Sequence, residues 1–163
     1  MKYKIIDNFL PKEDFKQIND LLTGPNFPWY YNKNVTFGPK DKKDKNYYFN
    51  HRFYEDVVLS NLYDFINEKL LSKIDIFSLK RVKANFHPRT EKVWFNKKHI
   101  DYKQSHKGCI YYINTCDGFT VLEDGKKIES IENRALFFDP SKQHNSSTCS
   151  NAKGRININI NYI

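Results

Sequence analysis

RINININ, residues 155–161, alternates isoleucine with polar residues over its whole length. Successive side chains of a β-strand point to opposite faces, so the three isoleucines share one face and Arg155 shares the other with the asparagines. An exposed edge strand would carry this pattern. So would a strand whose isoleucines face covering helices while Arg155 and Asn157 line a polar cavity. The alternation therefore predicts a strand and leaves both placements open.

The period of two extends back along the chain to Ile76. Turn-forming pairs separate the apolar runs, among them Asp117-Gly118, Asp124-Gly125 and Asp139-Pro140. We therefore predict eight short strands in the second half of the chain, at residues 76–86, 97–102, 108–114, 118–122, 126–131, 134–139, 144–149 and 154–162.

The first half of the chain has helical spacing instead. After a short strand candidate at residues 4–9, Pro11 opens a predicted helix that runs to about Leu22. A second amphipathic helix is predicted from about Tyr54 to Ser72. The polar residues 32–50 between the two helices are predicted to form a loop.

Helices followed by strands, without βαβ alternation, favour helices packed outside a β-sandwich or jelly roll. The predicted fold class is therefore α+β and mainly β. A length of 163 residues fits one domain. We expect residues 1–75 to form a helical support region and residues 76–163 to form the β core of that single domain, 1–163.

The amino-acid composition indicates what class of protein this is and in which compartment it is expected. Hydrophobic residues make up 39% of the chain and aromatic residues 16%, which favours a packed core over disorder. Cys109, Cys116 and Cys149 form no CxxC pair, so neither a disulfide framework nor a cysteine zinc site is indicated. No stretch resembles a signal peptide or a membrane span. We expect a soluble, cytoplasmic protein that makes no membrane contact.

The net charge of +8 raises the question of a nucleic-acid partner. The lysines are scattered, however, and aspartate interrupts the one dense basic run, residues 39–45, twice. A solvated loop explains such a run. The charge pattern therefore argues against nucleic acid as the main partner.

His99-Ile100-Asp101 places an imidazole and a carboxylate two residues apart. On a strand both side chains emerge from one face, with Cα atoms roughly 6–7 Å apart, so both can reach one ion. His144 follows a predicted strand and can supply a third ligand. Two histidines and one carboxylate form the facial triad of non-haem iron(II) sites, which leaves coordination positions open. A structural zinc site would use four protein ligands.

The HxD triplet alone is a weak signal, because His99 and Asp101 could be solvated neighbours of Lys97 and Lys98. The order of the motifs is more specific. HxD is followed by a hairpin region, then by the isolated His144, and then by Arg155 in the terminal strand.

In this order the chain resembles a known family. From about Arg81 to Tyr162 it is similar to the double-stranded β-helix core of the prolyl-hydroxylase-like 2-oxoglutarate oxygenases. The segments that carry the resemblance are His99-Ile100-Asp101, Cys109-Ile110-Tyr111-Tyr112-Ile113-Asn114, Asn133-Arg134-Ala135-Leu136-Phe137-Phe138, His144 and Gly154-Arg155.

The resemblance implies Fe(II) held by the HxD pair and His144, with 2-oxoglutarate and O2 as cosubstrates. It implies that Arg155 binds the far carboxylate of 2-oxoglutarate and that Tyr112 donates a hydrogen bond to it. A guanidinium matches a carboxylate in bidentate fashion. Core packing is the alternative role for Tyr112. Strand alternation places Ile110 on the face of Tyr112, and Asn157 on the face of Arg155.

Other residues were assigned from their position beside these motifs. Asn85 is predicted either to line the cosubstrate pocket or, as the simpler interpretation, to cap a strand end. Trp94 and Phe95 lie in the segment before His99, where a loop can flank the mouth of a site, so they are candidates for substrate contact. The remaining histidines, His51, His87 and His106, carry no predicted role, and the last two are expected on loops or the surface.

The resemblance implies an enzyme that hydroxylates a C–H bond of a protein side chain or a small metabolite and releases succinate and CO2. A nucleic-acid dealkylase of the same superfamily is one alternative, although Asn161 stands where its terminal RxNxxxR pattern has a second arginine. A cupin-like binding module without turnover is another. The primary substrate and the oligomeric state do not follow from the motifs.

Overall fold

The structure, a computed structural model, describes residues 3–35 and 47–163. Its helices are α1 (Lys12–Thr23) and α2 (Tyr63–Lys69), with a 3-10 turn at Leu71–Lys73. The strands in chain order are β1 (Tyr3–Ile6), β2 (Tyr30–Asn32), β3 (Tyr48–Glu55), β4 (Val57–Val58), β5 (Leu79–Pro88), β6 (Lys107–Tyr112), β7 (Cys116–Val121), β8 (Lys127–Ser130), β9 (Arg134–Phe138), β10 (Asn145–Ser146) and β11 (Gly154–Tyr162).

The strands form two antiparallel sheets. The larger has the order β1-β9-β6-β11-β5-β3-β2, with β4 paired to β3, and the smaller has the order β10-β7-β8. Chain neighbours are rarely sheet neighbours in the larger sheet, which is the topology expected of a jelly roll. The predicted class, mainly β with helices outside, is confirmed.

The strand β11 lies between β6 and β5 and is buried on both faces. Ile158 and Ile160 are fully buried in a core that includes Ile18 and Leu22 of α1, with Ile66 of α2. On the opposite face the polar residues Arg155, Asn157 and Asn161 are also buried. The edge-strand interpretation is therefore wrong, and the interpretation with a polar cavity on one face is confirmed.

The predicted second helix is wrong over its first half. Residues 48–55 form β3, which pairs with β5 along most of its length. Asp56 has a φ of 59°, a left-handed conformation that no α-helix contains, so the chain turns there into β4. Only Tyr63–Lys69 is helical. The region 1–75 is therefore not a purely helical support, since β1, β2 and β3 belong to the larger sheet.

Two predicted strands near the site are shorter than expected. Residues 97–102 form no strand; an isolated bridge between His99 and His144 and a hydrogen bond from the Asp101 N–H to the Pro140 carbonyl oxygen hold them. The segment 144–149 is reduced to β10. Four of the seven residues at 97–103 are charged, so only a short apolar face is available to stabilise a longer strand there. The predicted loop at 32–50 ends in β3, and residues 36–46, with the basic run 39–45, lie outside the described residues.

Among the helices of residues 3–35 and 47–163, none has the length and apolar character needed to cross a membrane.

Candidate metal centre

The bridge between His99 and His144 brings two imidazoles to one point. Each backbone N–H donates to the carbonyl oxygen of the other residue at 2.9 Å, and the ring centroids lie 4.5 Å apart. Asp101 lies on the same side. One potential ligand atom from each of His99, Asp101 and His144 falls within 4.8 Å of the others. The structure therefore brings the three predicted ligands together, as a single shared ion would require.

Hydrogen bonds orient both imidazoles. Nδ1 of His144 lies 2.9 Å from the Lys142 carbonyl oxygen, and Nδ1 of His99 lies 3.3 Å from that of Lys97. A carbonyl only accepts, so each Nδ1 carries the proton and each Nε2 presents a lone pair. The Nε2 of His144 is buried and has no protein partner. That orphaned acceptor, with the donor set of two nitrogens and one carboxylate, fits a divalent transition metal.

The protonation states also suit metal binding. Burial, followed by the proximity of His144, lowers the pKa of His99 to about 4, so its ring is neutral near pH 7. Burial opposes ionisation of Asp101, but the Arg81 guanidinium, 3.0 Å away, together with His144, the hydrogen bond from Asn161 and His99, outweighs it and holds the pKa of Asp101 well below its usual range. Asn161 Nδ2 donates to Asp101 Oδ2 at 2.8 Å. Neutral imidazoles and an ionised carboxylate are the forms that bind metals.

A cavity extends from these residues along the polar face of β11 and β5. About 500 Å³ of space, including the open mouth, lies inside it. Ile110, Asn85 and Asn157, all predicted as cosubstrate contacts, lie on its wall. Asn85 is in the middle of β5, where its Nδ2 donates to Asn157 Oδ1 at 3.1 Å, so the strand-cap interpretation is wrong.

Arg155 lies on the wall of the same cavity and is 1% exposed. Its Nη2 donates to Thr120 Oγ1 at 2.9 Å, while Nε and Nη1 have no hydrogen-bond partner among residues 3–35 and 47–163. Gly118 makes room for this side chain, because a Cβ there would lie 2.7 Å from Arg155 Cδ. A buried cation with two unpartnered N–H donors indicates an anion site.

Tyr112 lies behind Thr120 in this wall. Its hydroxyl is fully buried and donates to Thr120 Oγ1 at 2.9 Å. Because Thr120 Oγ1 accepts bonds from both Tyr112 and Arg155, its own hydroxyl proton is directed elsewhere, and Thr120 lies on the cavity wall. Thr120 rather than Tyr112 therefore lines the cavity at this point, and a direct hydrogen bond from Tyr112 to 2-oxoglutarate stays a prediction.

Three solved structures that resemble the whole architecture are oxygenases. A viral collagen prolyl hydroxylase from Paramecium bursaria Chlorella virus 1, in a 2OG complex, has a TM-score of 0.61 at 17% identity, with 100% of this chain and 97% of that chain covered. A prolyl hydroxylase from Trichoplax adhaerens, bound to a hypoxia inducible factor peptide fragment, has a TM-score of 0.66 at 15% identity, with 99% and 83% covered. A 2OG-Fe(II) oxygenase family oxidoreductase from Burkholderia pseudomallei has a TM-score of 0.71 at 12% identity, with 98% and 84% covered.

The chain has the fold of the 2OG-Fe(II) oxygenases. The predicted double-stranded β-helix core is thereby confirmed. No protein-family model matches the sequence, and neither does any curated protein.

Within this oxygenase fold, the sequence prediction missed several polar residues of the site. Arg81, Lys83 and His87 alternate with apolar residues along β5 and share the face of Asn85. The alternation in LKRVKANFHP, residues 79–88, was the available signal. His87, expected on a loop or the surface, is 4% exposed and pairs with Arg155 across the two strands.

The other spare histidines are structural. His106, also expected on a loop or the surface, is buried, and its Nε2 accepts a hydrogen bond from Asn161 Nδ2. The ring nitrogens of His51 are occupied by the Pro28 carbonyl and the Ser60 hydroxyl.

The two aromatic residues predicted to contact substrate are not among the residues that line the cavity. Trp94 and Phe95 are about half exposed. Phe95 packs edge-on against Phe119 with ring centroids 5.0 Å apart and forms a bridge to Ser147. Substrate contact by these residues stays a prediction.

Proposed function

We propose that this chain is an iron(II)- and 2-oxoglutarate-dependent dioxygenase that hydroxylates a C–H bond of a protein side chain or small metabolite, releasing succinate and CO2. One observation carries the proposal. His99, Asp101 and His144 converge within 4.8 Å of one another beside a cavity whose wall also holds the buried, partly unpartnered Arg155. A chelating diacid such as 2-oxoglutarate needs a metal for one end and a cationic group for the carboxylate at the other end, and this cavity wall offers both.

His99, Asp101 and His144 would hold the iron, and Arg155 would bind the far carboxylate of 2-oxoglutarate. When bound, the metal and cosubstrate supply the oxidation of a C–H bond, which no side chain of the chain performs itself.

The side chains of the protein contribute position and environment. Arg155 orients an anion through its two free N–H donors, and Thr120 adds a hydroxyl proton on the same wall. Asn161 and Arg81 fix the Asp101 carboxylate. The burial of the cavity walls limits the access of water to the reacting centre.

A protein or peptide substrate is supported by what the neighbours bind, since one of them is a collagen prolyl hydroxylase and another holds a peptide fragment. A small metabolite is equally compatible with the polar residues that line the cavity. No contact among residues 3–35 and 47–163 favours the nucleic-acid dealkylase. We also infer a cytoplasmic location from the three free cysteines, since free thiols are typical of reducing compartments.

The test is succinate release from 2-oxoglutarate in the presence of Fe(II), with and without a panel of peptides and amino acids. Asp101→Ala removes a ligand and should lower succinate formation by at least about 100-fold, because even outer-shell changes at metal sites cost 10- to 100-fold. Asp75→Ala, an exposed aspartate, is the matched control. Wild-type protein that neither binds 2-oxoglutarate with metal nor forms succinate would be a binding module instead.

A further inference from the structure

The strand β5 presents four polar side chains to the cavity side, and two of them have polar partners there. Arg81 pairs with Asp101, and Asn85 bonds to Asn157. His87 stacks on Tyr48 with ring centroids 5.5 Å apart, and burial keeps its ring neutral by lowering its pKa to about 3, so it needs no counter-ion. Lys83, between Arg81 and Asn85, differs. Within the described ranges its ammonium forms no hydrogen bond or ion pair, and its single aromatic contact is the ring of Tyr48, 5.6 Å from Nζ.

Two carboxylates lie near Lys83, and both are already occupied. Asp101 is paired with Arg81 at 3.0 Å, and Glu55 is paired with Arg52 at 2.7 Å. Burial, followed by the charge of Arg81, lowers the pKa of Lys83 to about 8, so the ammonium remains the main form near pH 7. An unpaired cation in a partly buried position is costly unless an anion joins it.

The charges of the cavity leave Lys83 uncompensated even in the loaded site. Asp101 is the one carboxylate among the described residues on the cavity wall, and it is matched by Arg81. A divalent metal and a dicarboxylate would cancel each other in charge, so the positive charges of Arg155 and Lys83 both remain. The unpartnered N–H donors of Arg155 match one carboxylate end of the dicarboxylate, whereas Lys83 has no such match among the described residues. A separate anionic group beside Lys83 would reduce this excess of positive charge.

The position of Lys83 indicates how near that group lies to the metal. Lys83 is the register partner of Asn159, whose Nδ2 lies 3.4 Å from Asp101 Oδ2. Arg81, two residues along β5, contacts Asp101 directly. Residues two apart on a strand are separated by roughly 6–7 Å. If one bound molecule places an anionic group on Lys83 and a carbon atom beside the metal, only a few covalent bonds can therefore separate the two.

We propose that Lys83 binds a carboxylate of the primary substrate, and that the substrate is therefore an acidic molecule or acidic side chain oxidised close to its own carboxylate. This inference rests on the dioxygenase function proposed above. The chemistry that Lys83 recognises, a carboxylate, could also come from the metal-binding end of 2-oxoglutarate, so the experiment must separate the two sources.

The experiment follows the ε-methylene NMR signal of Lys83 in lysine-labelled protein loaded with Zn(II), a redox-inert and diamagnetic ion. The signal is assigned by its absence in Lys83→Met. 2-Oxoglutarate is added first, and acetate or acetamide second; these two probes have nearly the same shape and differ in charge. Lys80→Met, which removes a lysine from the other face of β5, is the control for general charge effects.

We expect 2-oxoglutarate to leave the Lys83 signal nearly unchanged, acetate to shift it in a saturable way, and acetamide to leave it in place. Lys83→Met should weaken acetate binding about tenfold, the size expected for one partly buried ion pair of about 1.4 kcal/mol, whereas Lys80→Met should not. Lys83→Arg should retain the acetate site.

Three results would count against these proposals, and they are distinguishable. In the first, 2-oxoglutarate alone shifts the Lys83 signal fully, and Lys83→Met weakens 2-oxoglutarate binding as strongly as Arg155→Ala does. That result would assign Lys83 to the cosubstrate and overturn the acidic substrate class. An unresponsive Lys83 would remove the anion site altogether. Failure of wild-type protein to bind 2-oxoglutarate in the presence of metal would instead contradict the proposed function. The first addition measures this binding separately from the acetate site.

Discussion

Arg155 combines nearly complete burial with incomplete hydrogen bonding. Thr120 satisfies one of its N–H groups, and Nε and Nη1 have no partner. A guanidinium does not lose its proton, so it cannot escape burial by becoming neutral. In the absence of a bound anion this residue therefore destabilises the protein, and the binding of a carboxylate relieves the cost.

Arg155→Ala should weaken 2-oxoglutarate binding by about 2–4 kcal/mol, because truncating one partner of a buried charge pair typically costs that much. The dissociation constant of 2-oxoglutarate, measured by calorimetry with Zn(II) present, checks this. Affinity for the metal itself should change little. Arg89→Ala, at an exposed arginine just beyond β5, is the matched control. Unchanged cosubstrate affinity in Arg155→Ala would show that another group binds the far carboxylate.

Arg155→Met should raise the free energy of unfolding of the cosubstrate-free protein, since a well-packed apolar replacement of a buried, unpaired charge is often stabilising by about 1–4 kcal/mol. The same variant should lose the stabilisation that 2-oxoglutarate gives to wild type. Urea unfolding with and without the cosubstrate measures both effects. A less stable ligand-free variant would mean that Arg155 is compensated in a way the structure does not show.

At the scale of elements, the pair of strands β5 and β11 separates core from cavity. Ile158 and Ile160 face the helices, and the alternating polar residues face the site. Ile158→Ala should lower the free energy of unfolding by about 2–5 kcal/mol, the usual cost of a cavity in a packed core. Ile163→Ala, at a residue 47% exposed just past the end of β11, should change it by less than about 0.5 kcal/mol. Chemical denaturation of both variants compares them directly.

The pairing of His87 with Arg155 across β5 and β11 predicts a pH dependence of stability. Burial, followed by the charge of Arg155, lowers the pKa of His87 to about 3, against 6.5 for the unperturbed group. Between these values the unfolded chain binds a proton that the folded protein does not. The stability contribution is therefore complete above pH 6.5 and is lost as the pH falls toward 3.

For His87 alone this loss amounts to about 2 kcal/mol between pH 7 and pH 5. His87→Gln, which does not titrate, should flatten the dependence by that amount. Urea unfolding at the two pH values measures the difference. Wild type and His87→Gln with parallel pH profiles would show that the pKa of His87 is the same in the folded and unfolded protein.

The sequence predicted those elements whose patterns are local. The alternation in β11 and the helical spacing of α1 are visible without knowledge of any partner, and His99, Asp101 and His144 were found from their order. The strand β3 was missed because its partner, β5, lies about thirty residues away and only half of its own residues are aromatic or apolar. Its first three residues lay in the predicted loop 32–50. Its last two, Tyr54 and Glu55, lay in the predicted helix, where tertiary pairing overrode the local helical spacing. Thr120 was missed because its role depends on two side chains from other strands.

At the scale of the whole molecule, the metal centre joins a segment outside the strands to the residue that precedes β10. The segment that carries His99 and Asp101 belongs to no strand. It is attached by the bridge to His144, by the Asp101 N–H bond to the Pro140 carbonyl oxygen and by the contacts of the Asp101 carboxylate with Arg81 and Asn161. A shared ion would add three bonds to this attachment. The stability of the metal-loaded protein should therefore differ from that of the metal-free protein mainly around residues 97–102.

Addition of Zn(II) at about 100 times its dissociation constant should stabilise wild type by about 2.7 kcal/mol, which corresponds to a rise in Tm of roughly 5–10 °C for a domain of this size. Chelation should reverse it, and Asp101→Ala should abolish it while Asp75→Ala retains it. Differential scanning fluorimetry measures the shift, and hydrogen exchange at the amides of His99 and His144 locates it. An equal shift in Asp101→Ala would place the ion elsewhere.

The two-sided character of β11 has a consequence for how such a chain can change over time. A single inserted or deleted codon within residues 155–161 would turn every later side chain of the strand over, sending asparagines against the helices and isoleucines into the cavity. Folding and chemistry would be lost in one event. Point substitutions can tune either face separately, whereas length variation must be confined to the connecting loops.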